Sequence, residues 1–491
     1  MWLTDIMMIL FAGAMTALIA DMGKNYYPQA RQEVVGGIAF AAIAVSLIIT
    51  LQNWYSLAPG TVFISPGTSA FSTLYLVDSF SVFIVVTVLV VGAVICYYSL
   101  LYLKPDDNAG PFFALLLIML LSLTGVSSAG DLLSLFLFWE GMSISAYGLV
   151  SFRRKSTLAL EASIKYYFLA AAGSLLSLYG ISIVFSLTGS IRLSSLSDPL
   201  ITGTQTGIFG LSMLLIGFGV EAAIVPMHTW LPDVYSAAPT PVAALVSGAV
   251  TGTGMFVLVK IIQPLAMAGT GHPGQYLQGA QYLLIVLSVV TMLVGNLSAM
   301  LQTNLRRMLG FSSVAQTGYM LAALSTFSIP GLIAVVFNIW NHGLLKSNFF
   351  LLTGKNDADY SMTEMSSLSG MAAKSRLHAF MYASSSLGMV GSPPFGLFWS
   401  ELLIVQSLLL AGGPVYTILA IVVVANIVLS IGYYFRVINT VVFGKAGEVP
   451  PHTGRIREIA APLSLLLLSL LTGLIPGLFL NHIAAIGPAI P

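Results

Sequence analysis

The sequence predicts an all-α polytopic membrane protein with about fourteen transmembrane helices. Of its 491 residues, 57% are hydrophobic and only 8% are charged, whereas an ordinary soluble domain carries about 25% charged residues. Hydrophobic runs long enough to span a bilayer recur along the whole chain, and lysine and arginine crowd alternate loops between them. A chain of this composition cannot cover a soluble surface, so a soluble enzyme is excluded.

Charge and cysteine content narrow the function further. The formal net charge is +1 and the chain has no basic run, which excludes a nucleic-acid binder. Cys96 is the single cysteine, and it excludes a disulfide framework, a cysteine-ligated zinc site and an iron–sulfur cluster. The spans use nearly the whole length, so we expect no soluble domain for a nucleotide or redox cofactor and no metal site.

Fourteen hydrophobic runs fit a membrane-spanning helix of about 20 residues. The first run opens with Asp5 and lacks a basic segment, so we expect it to be a span and not a cleaved signal peptide. The run at 377–411 contains Pro393-Pro394, which predicts one broken helix. The predicted spans are 3–20, 35–52, 74–101, 111–128, 131–151, 163–187, 207–230, 241–264, 279–300, 309–326, 330–353, 377–411, 415–440 and 459–480.

The positive charges support this set of spans. Even-numbered loops hold only Arg192, and the spans hold Lys165, Lys260, Lys346 and Arg436. All other lysines and arginines fall in odd-numbered loops, namely Lys24, Arg31, Lys104, Arg153, Arg154, Lys155, Arg306, Arg307, Lys355, Lys374, Arg376, Lys445, Arg455 and Arg457. Positive residues favour cytoplasmic loops. The odd loops are therefore predicted to face the cytoplasm, with both termini on the non-cytoplasmic side.

Ionisable residues inside the predicted spans are the functional candidates. A charge at the centre of a membrane helix costs roughly 2.5–3.5 kcal/mol on insertion scales, so such residues are usually functional. They are spread along the chain and not gathered in one pocket, which is typical of proton transfer between water-linked groups. The candidates are Glu140, Lys165, Glu221, His228, Lys260, His342, Lys346, Glu401 and Arg436.

The first two candidates lie on neighbouring spans. Glu140 is flanked by apolar and small residues in LSLFLFWEGMSISAYG, and Lys165 follows in EASIKYYFLAAAG. We expect an ion pair between them, because pairing lowers the desolvation cost of both charges. The alternative is that Glu140 is a helix-end carboxylate with local hydrogen bonds.

Two spans are broken at proline, and each carries an acid. Glu221 lies five residues before Pro226, and Glu401 lies seven residues after Pro394. One acid precedes its break and the other follows it, as expected for two repeats of opposite topology. Paired broken helices mark the transport path of such proteins. The alternative is two proline kinks with incidental acids.

His342 and Lys346 lie at positions i and i+4 of NHGLLKSNFF, on one helix face. A histidine that titrates near neutral pH beside a lysine suits a proton relay. The alternative for His342 is a hydrogen-bonded core histidine.

The remaining candidates have weaker support. His228 and Asp233, in HTWLPD, would suit the catalytic pair of a membrane acyltransferase, but no further acid, cysteine or histidine is near. Lys260 either belongs to the proton path or snorkels to the membrane interface. Arg436, near the end of its span, favours a structural role. The pair Arg306-Arg307 is explained by topology and lipid headgroups.

Several segments resemble one family, the antiporter-like subunits of respiratory complex I, the Mrp-type sodium/proton antiporters and the membrane-bound hydrogenases. The segments are VPMHTWLPDVYSAAPTPVAAL, LRRMLGFSSVAQTGYML, HGLLKSNFFLLTG, LFWEGMSIS and GSPPFGLFWSE, and they cover spans five to twelve. Within the family, EASIKYYFLAAAGSLLSLYGISIVFSLTGS is most similar to the N-type subunit. Fourteen spans is the number in N-, M- and D-type subunits, so we expect no lateral helix of the L-type.

The resemblance implies two inverted five-helix repeats and proton translocation without a bound cofactor. The implied divisions are a three-helix segment at 1–110, a first repeat at 111–267, a second repeat at 278–443 and a last span at 444–491. The family's fifth-span glutamate falls on Glu140 and its sixth-span lysine on Lys165. Its eleventh-span histidine and lysine, best matched in L- and D-type members, fall on His342 and Lys346.

The sequence departs from the family pattern in three spans. The seventh-span lysine is Glu221 here, and the twelfth-span lysine is Glu401, as in M-type members. The eighth-span lysine or histidine is missing, and Ser247, Thr251 and Gly252 occupy that stretch. Lys165 would then supply the cation that the seventh span lacks. We therefore expect it to lie near both acids of the first repeat and to couple them.

The resemblance predicts a non-redox, proton-pumping subunit of a complex I-type translocase in the cell membrane. Its partners would be K-, M-, L- and H-type membrane-arm subunits and lipids, with flavin and iron–sulfur clusters on partner subunits. The donor would be NADH or reduced coenzyme F-420, and the acceptor a quinone or phenazine. The alternatives are an Mrp-type cation/proton antiporter subunit and a membrane-bound hydrogenase subunit. A membrane-embedded lipid or sugar enzyme lacks a catalytic cluster.

Overall fold

The fold is seen in a computed structural model that describes most of the chain. The described residues are 2–22, 31–56, 63–66, 73–103, 108–153, 156–267, 275–354, 363–445 and 456–484. Some basic residues of the topology argument lie outside them, namely Lys24, Lys104, Arg154, Lys155, Lys355 and Arg455. The described residues are mainly helical, as the hydrophobic runs predict.

The first part of the chain forms helices α1 to α11 and one short hairpin. The helices are α1 Trp2–Met22, α2 Arg31–Ser56, α3 Ser79–Tyr102, α4 Ala109–Ser128, α5 Leu132–Val150, α6 Thr157–Thr188, α7 Pro199–Thr202, α8 Gln205–Gly219, α9 Trp230–Ala237, α10 Thr240–Leu245 and α11 Thr251–Met267. A π-helical turn at Val246–Val250 joins α10 to α11. Strands β1 Phe63–Pro66 and β2 Thr73–Val77 pair antiparallel, with Phe63 opposite Val77.

The second part forms helices α12 to α20. They are α12 Gln275–Leu301, α13 Leu305–Leu324, α14 Ile329–Leu352, α15 Met371–Lys374, α16 Arg376–Met389, α17 Gly396–Ala411, α18 Gly413–Ile438, α19 Ile456–Leu474 and α20 Pro476–Ala484. The continuous helix Thr240–Met267 lies wholly inside the bundle, whereas α6 and α18 leave much of their apolar surface on the outside.

Polar caps start many of these apolar helices. The Asp78 carboxylate accepts from the backbone N–H of Ser81 at 2.9 Å and begins α3, and Asp131 begins α5 in the same way. Such caps satisfy N–H groups that have no partner within the helix. Gly189 ends α6 with a left-handed φ of 65°, which glycine adopts without steric cost.

Each predicted hydrophobic run overlaps one of these helices or a pair of them, although the run at 74–101 begins in strand β2. Among the described residues, nine helices are long and apolar enough to cross a membrane. The count is ten if α19 and α20, bent by 76°, form one span. The prediction of a helical, multi-pass membrane protein is confirmed. The total of fourteen crossings and the division into repeats stay predictions.

Both predicted breaks are present. Helix α8 ends at Gly219 and α9 starts at Trp230, so Glu221 lies inside the break and not in a helix before it. Pro226 cannot donate to the carbonyl of Ala222 four residues earlier. Thr317 Oγ1 on α13 donates to that carbonyl instead, at 2.8 Å. The second break, between α16 and α17, contains Pro393-Pro394, and Glu401 follows it.

The loops gather at two ends of the bundle. At one end, Tyr75 pairs with Ala129, Asp131 pairs with Arg192, and the His482 ring lies 4.9 Å from that of Trp54. Leu3 near the N-terminus packs with Tyr75 there, so we call this the termini end. The second, fourth and sixth loops and the described ends of the chain, at Leu3 and His482, thus share one end of the bundle.

The opposite end, called the basic end, joins odd-numbered loops. Asn304 pairs with Glu364, Arg306 donates to the carbonyl of Ala238, and Thr240 donates to that of Gly354. This grouping agrees with the predicted alternation of loops. The side of the membrane that each end faces stays a prediction.

Candidate functional site

Glu221 is the most enclosed acid of the first half. Its side chain has no exposed surface. Ser143 Oγ on α5 donates to Glu221 Oε1 at 2.9 Å, and the hydroxyl of Tyr166 on α6 donates to Oε2. Both carboxyl oxygens are therefore held by neutral hydroxyl groups. A hydroxyl can both donate and accept a hydrogen bond, so this arrangement allows a proton to enter or leave the carboxyl.

Tyr166 is fixed in place by an aromatic stack. Its ring lies 4.1 Å from that of Trp230, at an interplanar angle of 9°. Trp230 Nε1 donates to the carbonyl of Val220 at 2.9 Å, which ties the start of α9 to the last turn of α8. The stack therefore holds the Tyr166 hydroxyl opposite the break that carries Glu221.

Glu140 lies one helical turn before Ser143 on α5. The hydroxyl of Ser174 on α6 donates to Glu140 Oε1, and the Glu140 side chain is half-buried. This hydrogen bond joins Glu140, in the middle of α5, to a different helix, so the alternative of a helix-end carboxylate with local hydrogen bonds is wrong. It also places a second carboxyl within one turn of the serine that holds Glu221.

The predicted ion pair between Glu140 and Lys165 is wrong, and so is the contact between Lys165 and Glu221. Lys165 Nζ lies 2.5 Å from Asp233 Oδ2, on α9. Arg307, at the start of α13, lies 2.7 Å from Asp233 Oδ1. Lys165 precedes Tyr166, so the two side chains leave α6 in different directions. Tyr166 reaches the buried acid and Lys165 reaches Asp233 towards the basic end.

The group Lys165, Asp233 and Arg307, which we call the charged triad, lines a cavity of about 340 Å³. Glu161 of α6 also lines this cavity. His228 does not pair with Asp233, because both oxygens of that carboxylate are taken by the two cations. The His228 ring is half-buried and lies 6.3 Å from that of Phe311. The geometry therefore does not support the acyltransferase alternative.

In the second half, Lys346 is fully buried and His342 is 2% exposed. Lys346 Nζ donates to the carbonyl of Leu309 at 2.7 Å and to Ser312 Oγ, both on α13. The hydroxyl of Tyr434 lies 3.5 Å from the same nitrogen. Among the described residues, no carboxylate lies within salt-bridge distance of Lys346. The ammonium group is thus held by neutral oxygens, as the Glu221 carboxyl is held by neutral hydroxyls.

Glu401 is 6% exposed and lies in the second turn of α17. Gln316 Nε2 on α13 donates to Glu401 Oε1 at 2.9 Å, and Asn338 on α14 donates to Gln316 Oε1 at 3.4 Å. Gly391 of the second break leaves room for the carboxyl, since a Cβ there would lie 2.0 Å from Glu401 Oε2. The break thus accommodates the acid, and α13 and α14 orient it.

Lys260 and Arg436 both donate hydrogen bonds to backbone carbonyl groups. Lys260 is 2% exposed and its Nζ donates to the carbonyl of Ala129 at 2.8 Å, so the snorkelling alternative is wrong. Arg436 donates to the carbonyls of Met300 and Gln302, at 3.0 and 2.5 Å. These contacts hold α18 against the end of α12, which supports the structural role expected of Arg436.

Sequence reasoning missed Tyr166, Asp233 as an ion-pair partner, and Gln316. One signal was available for Asp233, because it is an acid between two segments rich in cations. Tyr166 and Gln316 carry no charge, and nothing in the spacing shows that they meet carboxyl groups. Helix α13 contributes a contact to three charged groups, from Arg307 to Asp233, from Ser312 to Lys346 and from Gln316 to Glu401. The result, among the described residues, is a series of buried titratable groups, each held by neutral polar groups.

Comparison with known proteins agrees with this arrangement. Residues 129–430 match the family model described as NADH:quinone oxidoreductase/Mrp antiporter, TM. Residues 63–113 match the model described as NADH-Ubiquinone oxidoreductase (complex I), chain 5 N-terminus. The first match covers well over half of the chain and includes both breaks.

Individual relatives extend over nearly the whole length. NADH-quinone oxidoreductase subunit N of Acidithiobacillus ferrooxidans is 31% identical over 88% of this chain and 89% of its own. F(420)H(2) dehydrogenase subunit N of Methanosarcina mazei is 27% identical over 93% of this chain and 90% of its own. A chain in the structure of the membrane-bound sulfane sulfur reductase, an archaeal respiratory membrane complex, is 26% identical with a TM-score of 0.83. That match covers 98% of this chain and 96% of the other.

Proposed function

The chain belongs to the NADH:quinone oxidoreductase/Mrp antiporter family, and we propose that it is the N-type, proton-translocating membrane subunit of a redox-driven complex. The observation that carries this proposal is the series of buried titratable groups from Glu221 to Lys346 and Glu401, each held by neutral polar side chains. The relatives named subunit N support the N-type assignment. The redox reaction itself belongs to other subunits, and this chain acts as a non-redox part of the translocase.

The proton path of the first repeat runs between Glu140 and Glu221. Ser143 and Tyr166 donate to Glu221, and Ser174 donates to Glu140. Water between these groups completes a chain of donors and acceptors, since hydroxyl groups both give and take protons. The role proposed for Lys165 changes with its place in the charged triad. It sets the electrostatic potential at the basic end and does not pair with the acids.

The second repeat continues the path through Lys346, His342 and Glu401. Lys346 and His342 are one turn apart on α14, and Asn338 on the same helix reaches Glu401 through Gln316. A buried ammonium and a buried carboxyl that share no direct contact can each change protonation state separately. The proposed path therefore has two titratable groups in the first half, Glu140 and Glu221, and three in the second half.

The outer surface of α6 beside the charged triad is the proposed contact with neighbouring subunits. The charged triad keeps 24–41% of its side-chain surface exposed on a face that also exposes Leu158 and Ile164. Ions facing lipid would be costly. A polar surface of a neighbouring K-, M-, L- or H-type subunit would cover them. Other partner subunits would carry the flavin and iron–sulfur clusters, and the donor would be NADH or reduced coenzyme F-420.

The test is proton transport by the purified complex in lipid vesicles, measured together with electron transfer to a quinone or phenazine. Glu140→Gln and Glu221→Gln should lower transport strongly while the complex stays assembled, because each removes a titratable group and preserves its shape. Glu161→Gln is the matched control, an exposed acid of the same region without a role in the path. Normal transport by both variants would contradict the proposal.

The subunits that copurify with this chain distinguish a redox-driven complex from the Mrp-type alternative. Redox subunits with flavin and iron–sulfur absorbance should copurify with this chain. Copurification of small membrane subunits alone would favour an Mrp-type cation/proton antiporter, a function that the family description also covers.

A further inference from the structure

A second buried polar group lies near the termini end, apart from the path described above. Its members are Lys260 and Gln263 on α11 and Asp78 at the start of α3, and each is at most 3% exposed. Gln263 Nε2 donates to Asp78 Oδ2 at 2.6 Å. Gln263 is three residues after Lys260, so both side chains lie on one face of α11 and point towards α3.

The two ionisable members are incompletely paired. Lys260 Nζ donates to one acceptor, the carbonyl of Ala129, although an ammonium group has three donors. Asp78 accepts from Ser81 and Gln263, which are neutral. Burying a charge without a close opposite charge is costly. A purely structural contact to Ala129 could be made by a neutral side chain, so this cost needs another explanation.

The group also lies between the bundle core and the loops of the termini end. Ala129 and Asp78 belong to the loops that Tyr75 joins at the termini end. Towards the core, Gly254 of α11 packs so closely on the first break that a Cβ would lie 3.0 Å from the Ala222 nitrogen. The side of α11 that packs on the break of Glu221 is thus about two turns from Lys260.

Phe256 lies between the two regions. Its ring centroid is 5.8 Å from Lys260 Nζ, and it precedes Lys260 by one turn. Thr253, a further turn towards the core, has a buried hydroxyl without a hydrogen-bond partner among the described residues. The Thr253 hydroxyl lies on the core side of Phe256 and is free to bind water. The Lys260 amine lies on the other side, so the apolar Phe256 ring separates these two polar groups.

We propose that Lys260 and Asp78 form the site from which protons of the first repeat are released at the termini end. This rests on the proposed function. The Lys260 ammonium gives a proton, through a bridging water, to the Asp78 carboxylate, and the resulting carboxylic acid gives it to water at the termini end. The neutral amine then takes the next proton from water on the Thr253 side. The flexible lysine side chain moves past the Phe256 ring between the two positions.

The test compares two changes at Lys260 with a control. Lys260→Arg keeps the positive charge and the donor to Ala129 but cannot release its proton. Lys260→Met removes the amine. Both should lower the initial rate of proton transport roughly 10-fold or more, since loss of a general acid–base group costs at least that. Lys445→Met, a change at an exposed lysine of the basic end, should leave transport unchanged.

Asp78 gives a conservative pair of variants. Asp78→Asn should lower transport as the lysine variants do, and Asp78→Glu should restore part of it, because it keeps a carboxyl group. Transport at the normal rate in Lys260→Arg would overturn the proposal, since it would leave Lys260 with a structural role only.

Thiol labelling does not depend on proton transport, so it also tests the proposal if the transport variants assemble poorly. In a Cys96→Ala background, Lys260→Cys should react with a membrane-impermeant thiol reagent added at the termini end and not with one added at the basic end. Absence of labelling from the termini end would overturn the release site. Normal transport in Glu221→Gln with such labelling present would instead contradict the proposed function and leave water access to this site established.

Discussion

Replacement of Asp233 by asparagine tests the charged triad directly. The carboxylate bonds Lys165 through one oxygen at 2.5 Å and Arg307 through the other at 2.7 Å. The three side chains keep 24–41% of their surface, and partly exposed pairs of this kind contribute up to about 1 kcal/mol each. Asp233→Asn removes both pairs and leaves two cations facing each other. We therefore expect a loss of about 2 kcal/mol of unfolding free energy, the upper end for two pairs.

This energy corresponds to a measurable shift of melting temperature. The entropy of unfolding is roughly 2.1 cal/mol/K per residue, or about 1 kcal/mol/K for a chain of this length, so the expected decrease is roughly 2 °C. The measurement is thermal unfolding of the purified complex, followed by loss of this subunit. Double variants with Lys165→Met and Arg307→Met should each show a coupling of about 1 kcal/mol with Asp233→Asn.

Glu161→Gln provides the matched control for this prediction. Glu161 lines the same cavity and loses the same charge, but it is exposed and forms no ion pair among the described residues. If Asp233→Asn lowers the melting temperature no more than Glu161→Gln does, the two ion pairs contribute nothing and the argument from the triad fails.

Three further predictions follow from the fold and the breaks. Gly391→Ala should impair proton transport, because its Cβ would lie 2.0 Å from Glu401 Oε2, whereas Gly189→Ala, at a glycine that also has a positive φ but open space around it, should leave transport normal. Tyr166→Phe removes one of the two donors to the buried carboxyl of the first break, and transport in vesicles should fall while electron transfer and assembly persist. A reporter active only in the cytoplasm, fused after Pro491, should be silent; activity would mean that the predicted number of spans is wrong by one.

Hydropathy and proline placement predicted the helices and both breaks, because these features depend on local sequence. A run of about 20 apolar residues has few alternatives to a spanning helix in a membrane. Proline interrupts the backbone hydrogen bonds of a helix wherever the helix lies. The position of Glu221 inside the first break was not predicted, because the helix stops seven residues before Pro226 and not next to it.

The pairing of charged side chains was not predictable from the same information. Lys165 and Tyr166 are adjacent in sequence, and the rotation of α6 decides which of them faces the bundle core. Sequence charge favoured Lys165 as the partner of the buried acid, but the neutral Tyr166 occupies that place. Packing of α6 against α8 and α9 fixes this rotation, and it depends on residues far apart in the chain.

The contacts of α13 explain how groups in the two halves can influence one another without a direct charge pair. Arg307 holds Asp233 of the first half, and Thr317 holds the carbonyl that Pro226 leaves free in the first break. On the same helix, Ser312 holds the buried Lys346 of the second half. Gln316 holds the buried Glu401. A helix moves as a unit, so a shift of α13 that follows a change of charge at one of these sites alters the hydrogen bonds at the others. Loss of the Thr317 hydroxyl, which is not titratable, should therefore weaken transport through both halves, whereas a chain of independent proton sites would be unaffected by it.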